Sequence, residues 1–293
     1  MAWQDDFLTR LAARPVCGYG DEATPATEPT ALAALALVGA KQLPPAIEAA
    51  EFLLGIQNKD GSVGVRPGEA MPAWTTSLAV LTWLATERDN TFRQPIAAAV
   101  NWILETQGRT IEHATELGHN TKLIGWSWAA DTHSWIEPTI FCTLALKAAG
   151  HTAHPRTREA IALLIDRQLA GGGCNYGNTT VLGQPLRPHL QPSGMLLVAL
   201  DGENDPSGRA AKSVHYVAQT IDAETTPSSL AWAVLGLAAA GRKGAANDGL
   251  LAKSAADVIA RGAAPYKIAL LAHAALGADS PLITLPRTGK VAP

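Results

Sequence analysis

The chain is short of charge, of aromatic rings and of cysteine. Charged residues fill 17% of 293 positions and leave a net charge of −3, with no Lys/Arg run long enough for a nucleic-acid surface. The three cysteines, Cys17, Cys142 and Cys174, show neither a disulfide framework nor metal-ligand spacing, which reads as reduced thiols in a reducing compartment. No apolar stretch reaches the about 18 residues that a spanning helix needs. The opening MAWQDDFLTRLAARP lacks the basic-then-apolar pattern of a leader, so the expected location is cytoplasmic. Strand-like alternation is missing throughout, which excludes β and α/β architectures.

What is present is Leu and Ala, arranged in repeats. Six short apolar runs, from TALAALALVGA to YKIALLAHAALG, each follow a proline: Pro29, Pro72, Pro138, Pro192, Pro227 and Pro265. Five of them close on a glycine, at Gly39, Gly150, Gly202, Gly241 and Gly277. Proline suits the first helical position, where its missing N–H costs nothing, and glycine suits the position past the end. Six amphipathic patterns alternate with these runs, at 3–13, 44–57, 94–107, 155–169, 207–220 and 246–261. A dry helix is buried all round and a two-faced helix wraps it. Six such pairs predict two concentric rings, an all-α single-domain (α/α)6 toroid over 1–280, with a tail at 281–293. The outer-to-inner connections 14–26, 58–71, 108–136 and 170–191 are long and must share one rim, where function is expected.

The outer helices end alike. Phe52-Leu53 precedes Gln57 and Asp60-Gly61-Ser62-Val63-Gly64, Trp102-Ile103 precedes Gln107-Gly108, Leu163-Leu164 precedes Gln168 and Gly171-Gly172-Gly173-Cys174, and Gln219 precedes Asp222. This resembles the aromatic-Leu-x3-Gln-x2-Asp-Gly-x-Trp-Gly repeat of squalene–hopene cyclases and of protein prenyltransferase beta subunits. The resemblance implies the toroid and a central apolar cavity for an isoprenoid or lipid-like molecule. In the repeat, the glutamine is expected to join the outer helix's free carbonyls to the next inner helix's N–H groups. Val63 and Cys174 stand where the family carries Trp, and neither the cyclases' DxDD acid motif nor the prenyltransferases' Asp-x-Cys zinc pair is present. No metal and no cofactor are therefore expected.

Candidate site residues cluster in the long loops and at the starts of the dry helices. Thr-Glu-Pro-Thr at 27–30 echoes Ile-Glu-Pro-Thr at 136–139, so Glu28 and Glu137 occupy matching places on one rim. Each carboxylate either caps its helix and complements the dipole or points into the cavity as an acid. The loop Gly125–Trp135 holds Trp126, Trp128 and Trp135, with Asp131 and His133 as an acid/base pair or two metal ligands; no third ligand can be named. Together with Trp74, Tyr19 and Tyr176 these rings can line an apolar site and stabilise positive charge. Asp21 and His189 share those loops, while Trp83, Phe141, Trp232, Cys142 and His273 read as core. The expected catalytic residues are Glu137, Asp131, Glu28 and His133. The expected function is a terpene-cyclase-like protein, acid-initiated if catalytic, whose partner is a hydrophobic small molecule and whose rim suits a membrane surface. A non-catalytic scaffold using the Trp-rich rim and a glycan-processing (α/α)6 enzyme are the alternatives.

Overall fold

The computed structural model describes residues 2–20, 23–112, 117–242 and 247–289. Asp21 and the last four tail residues lie outside them. The outer helices are α1 (Ala2–Ala13), α3 (Leu43–Gly55), α5 (Arg93–Glu105), α7 (Pro155–Asp166), α9 (Arg209–Thr220) and α11 (Asn247–Ala260). The inner helices are α2 (Thr27–Gly39), α4 (Thr76–Thr86), α6 (Ile136–Ala148), α8 (Leu190–Ala199), α10 (Pro227–Ala239) and α12 (Pro265–Leu276). Each inner helix packs on the next, α2 on α4 and so on to α12, and α12 packs back on α2. The result is the closed (α/α)6 ring, all-α apart from a hairpin of two-residue strands, β1 (Thr180–Val181) and β2 (Gln184–Pro185).

The polarity difference between the two rings is borne out. α2 buries every residue from Thr27 to Leu37, whereas α9 buries only Ser213 and Val217. His273 seals the joint between the last and first inner helices: its Nε2 lies 2.9 Å from the Leu32 carbonyl oxygen and its Nδ1 2.9 Å from Ser280 Oγ. Gly194 and Gly236 let α8 and α10 touch backbone to backbone, since a Cβ on Gly194 would stand 2.4 Å from the Trp232 carbonyl oxygen.

Three details depart from the sequence reading. Pro72 does not open α4; it lies four residues ahead of Thr76, whose hydroxyl bonds the Ala73 carbonyl and thereby sets the helix start. Gly39 is not the left-handed residue after α2. That place falls to Lys41 (φ 61°), and Gly39 is needed because a Cβ there would meet Leu276 Cδ1 at 2.5 Å. The repeat glutamines also reach a different partner. Gln57 Nε2 donates to Gly61 O and to Pro95 O in α5, and Gln168 Oε1 accepts from Ser213 Oγ in α9, because the neighbouring outer helix is what lies beside the end of an outer helix.

Residues 281–288 form α13 (Pro281–Thr288), which packs against α2, α4 and α6. Arg287 pairs with Asp201 beyond α8 and reaches the Ala239 carbonyl of α10. These partners lie at or near the C-terminal ends of inner helices, so α13 covers the short-loop rim and leaves the long-loop rim as the mouth.

Candidate active site

A single device holds each long loop to its inner helix. A hydroxyl near the helix start bonds the backbone N–H of one loop residue: Thr30 with Cys17, Thr76 with Val63, Thr139 with Trp126 and Ser193 with Cys174, at 2.9–3.1 Å. Trp126 thus stands at the repeat position that Val63 and Cys174 fill in their turns. Two residues beyond each pinned position come Tyr19, Val65, Trp128 and Tyr176, and two residues before each hydroxyl come Glu28, Trp74, Glu137 and Gln191. The repeat therefore offers the mouth one residue from each loop and one from each helix.

Glu28 and Glu137 do not cap their helices. The first N–H groups are taken instead by neighbouring loops, Thr27 N–H donating to Val65 O and Ile136 N–H to Tyr176 O. The Tyr19 hydroxyl donates to Glu28 Oε2 at 2.5 Å. Tyr266, at the start of α12, also favours ionised Glu28, and its ring lies 5.2 Å from that of Tyr19. Glu137 feels the charge of Glu28, and in turn acts on Tyr19, Tyr266 and Tyr176. Since α2, α6 and α12 come from different parts of the ring, this cluster spans the mouth.

Burial raises both carboxyls. Glu28 rises to about 7, held back by the two tyrosine hydroxyls, and Glu137 to about 8, with the Glu28 charge as the second cause. The tyrosine hydroxyls favour the ionised form of Glu28, whereas burial and the Glu28 charge both favour the protonated form of Glu137. One turn deeper on the Glu137 face lies Phe141, which meets Trp74, two residues ahead of α4, at 6.0 Å and Trp232 of α10 at 5.9 Å. The Phe141–Trp232 contact skips α8, so these rings form an aromatic floor under the carboxyls.

The remaining expected residues disperse. Asp131 lines a cavity of about 180 Å³ with Met71, Trp74, Trp102, Trp126 and Trp128. Trp128 stands edge-on to Trp74 with ring centres 4.5 Å apart. His133 instead stacks on Trp135 at 4.4 Å and lines a different cavity with Arg109 and Arg167, so Asp131 and His133 do not form a pair there. Trp126 is built into the wall, its indole N–H bonded to Ile103 O and its face under Arg156 at 4.5 Å. Trp135 packs over Gly177. Trp83 is wall core, bonded to Ala50 O. The thiols of Cys17, Cys142 and Cys174 are buried and pushed up to about 12, which rules against a nucleophilic role. Among the described residues no group of three metal-type ligands exists. Tyr266 was not singled out from the sequence, though its place directly after Pro265, on the same rim as Glu28, was visible.

No family model and no curated protein match the sequence. Among solved structures, a protein from Actinoplanes is similar with a TM-score of 0.51 and 14% identity, covering 88% of this chain and 80% of that one. Salmonella alpha-2-macroglobulin reacted with methylamine gives a TM-score of 0.48 and 14% identity over 92% of this chain, which spans 17% of that protein. At such identity the Actinoplanes likeness shows the fold alone.

Proposed function

We propose that the protein is terpene-cyclase-like, taking an isoprenoid or similar apolar molecule into the mouth of the ring, with Glu137 as proton donor. The observation that carries this is the meeting of Glu28 and Glu137 from non-adjacent inner helices, the first bonded by Tyr19 and the second kept protonated by burial and by its partner's charge. A carboxylic acid above an aromatic floor suits proton transfer to an alkene carbon. The proton leaves Glu137, the π pair forms the new C–H bond, and a carbocation remains beside the rings of Phe141 and Trp74. Loss of a proton from a neighbouring carbon back to the Glu137 carboxylate closes the cycle.

The rim itself supports an apolar ligand delivered from a membrane surface. Of the seven exposed large apolar or aromatic side chains among the described residues, six lie in the long loops: Tyr19, Met71, Ile111, Tyr176, Val181 and Leu182. No single helix among the described residues is long and apolar enough to cross a membrane, so this contact is peripheral in the proposal, with the protein in the cytoplasm.

A carboxyl pair with one protonated member also serves glycoside hydrolysis, and the tyrosines around it favour keeping that second reading. Native mass spectrometry of freshly purified protein tests the choice. A co-purified isoprenoid or lipid lost on Trp74→Ala supports the proposal. Saturable oligosaccharide binding with no lipid retained would replace it. Glu137→Gln is expected to abolish turnover of a bound alkene while leaving binding intact.

A further inference from the structure

The cavity of about 240 Å³ that His133 lines is separate from the carboxyl pair and has the opposite chemistry. It lies between the α5–α6 loop and the α7–α8 loop. Its described lining carries Arg109, His119, His133 and Arg167, the amide of Asn178, and no Asp or Glu. Arg167 is only 5% exposed. Its NH1 donates to Gly177 O, but its Nε makes no hydrogen bond. Asp166 Oδ2 stands 3.6 Å from that Nε and accepts the Asn120 N–H, so its compensation of the guanidinium is partial. A buried guanidinium is costly unless it is paired and its N–H groups are satisfied.

One further guanidinium and two imidazoles, which burial and Arg167 hold towards their neutral form, converge on the same space. Arg109 and His133 sit on segments paired in parallel, with Arg109 N–H bonded to Thr132 O, which brings both side chains to one wall. His119 is buried and engages Thr179 through Nδ1, which fixes its ring at the wall of the cavity. Ile111, Leu117 and Leu123, with Thr121 and Ser134, are also in the lining, so the cationic groups sit partly against apolar surface, where charge-assisted bonds are stronger than in water.

We propose that this cavity binds a phosphate group, with Arg167 as the buried fork, Arg109 as the outer clamp, and His119 and Asn178 as further donors. The planar guanidinium presents paired N–H groups that match two oxygens of one phosphate, and the buried Nε that makes no hydrogen bond is a donor such a ligand would satisfy. The group arrives either as free phosphate or phosphomonoester, or on a lipid headgroup brought by the apolar rim.

The experiment is calorimetric titration of the whole chain with inorganic phosphate at matched ionic strength. The expected result is saturable binding at one site, weakened roughly tenfold by Arg109→Ala and abolished by Arg167→Met, with the His119 ring signals moving on titration. Should Arg167→Met fail to fold, Arg109→Ala and Asn178→Ala carry the test. Cosedimentation with phosphatidic acid vesicles against phosphatidylcholine vesicles separates the sources. Vesicle binding competed by phosphate assigns the headgroup, and phosphate binding without vesicle binding assigns the free form. Absence of saturable phosphate binding, or binding that Arg109→Ala and Asn178→Ala both leave unchanged, overturns the proposal.

Discussion

The hydroxyl of Tyr19 donates a 2.5 Å hydrogen bond to Oε2 of Glu28, joining the first long loop to the first inner helix at the centre of the mouth. Together with Tyr266 it favours the ionised form of Glu28, whereas no such bond is made to Glu137 among the described residues.

Tyr19→Phe is accordingly expected to raise the proton affinity of Glu28. Hydrogen bonds to charged groups are worth about 1.5–3 kcal/mol, so its midpoint should climb from about 7 by roughly one to two pH units. Carbon-13 NMR titration of the glutamate carboxyls reads this directly, and an unmoved Glu28 midpoint would show that the bond is not made in solution.

Stability should fall as pH rises from about 4.5 to about 8. The Glu137 carboxyl loses its proton near 4.5 when unfolded but near 8 when folded. Its contribution is therefore greatest below pH 4.5, declines between 4.5 and 8, and is flat above that. Glu137→Gln should remove a loss of a few kcal/mol over this window. Urea unfolding of both proteins at pH 5 and pH 9 checks it; equal slopes in wild type and variant would count against a buried, protonated Glu137.

His273 predicts the opposite dependence. Its imidazole is held neutral, with the folded value lowered to about 4 by burial, while the unfolded side chain protonates near 6.5. The ring closure it provides is complete above pH 6.5 and weakens as pH falls towards 4, at a cost of about 3 kcal/mol. His273→Phe should be less stable at pH 7 but should lack this acid slope, as chemical unfolding at pH 7 and pH 4.5 would show.

Gly194→Ala is expected to destabilise although alanine favours helices. The added Cβ meets the Trp232 carbonyl oxygen at 2.4 Å, so α8 and α10 must part. Overpacking of this kind costs about 1–3 kcal/mol. A melting temperature unchanged within one degree would mean that the two helices sit further apart.

The fold was legible because apolar runs and amphipathic runs alternate without exception, and the period of that alternation is itself the architecture. The two glutamates were legible as an echo in sequence, Glu28-Pro29 against Glu137-Pro138. Their environment was not, because Tyr19, Tyr266 and Phe141 reach them only through ring closure. The separation of Asp131 from His133 was equally invisible. Neighbours in sequence are turned to different cavities where the loop passes through a left-handed residue at Asp131 (φ 61°). Pro72 misled for a local reason, since a hydroxyl downstream fixes the start of α4.

The placement of α13 makes the ring a cup with one door. With the C-terminal ends of the inner helices covered and the Phe141–Trp232 contact lying across the interior, nothing can be threaded from one side to the other. On the proposed reading a guest that enters past Tyr19 and Tyr176 leaves the same way, which suits a short folded molecule better than a sliding polymer.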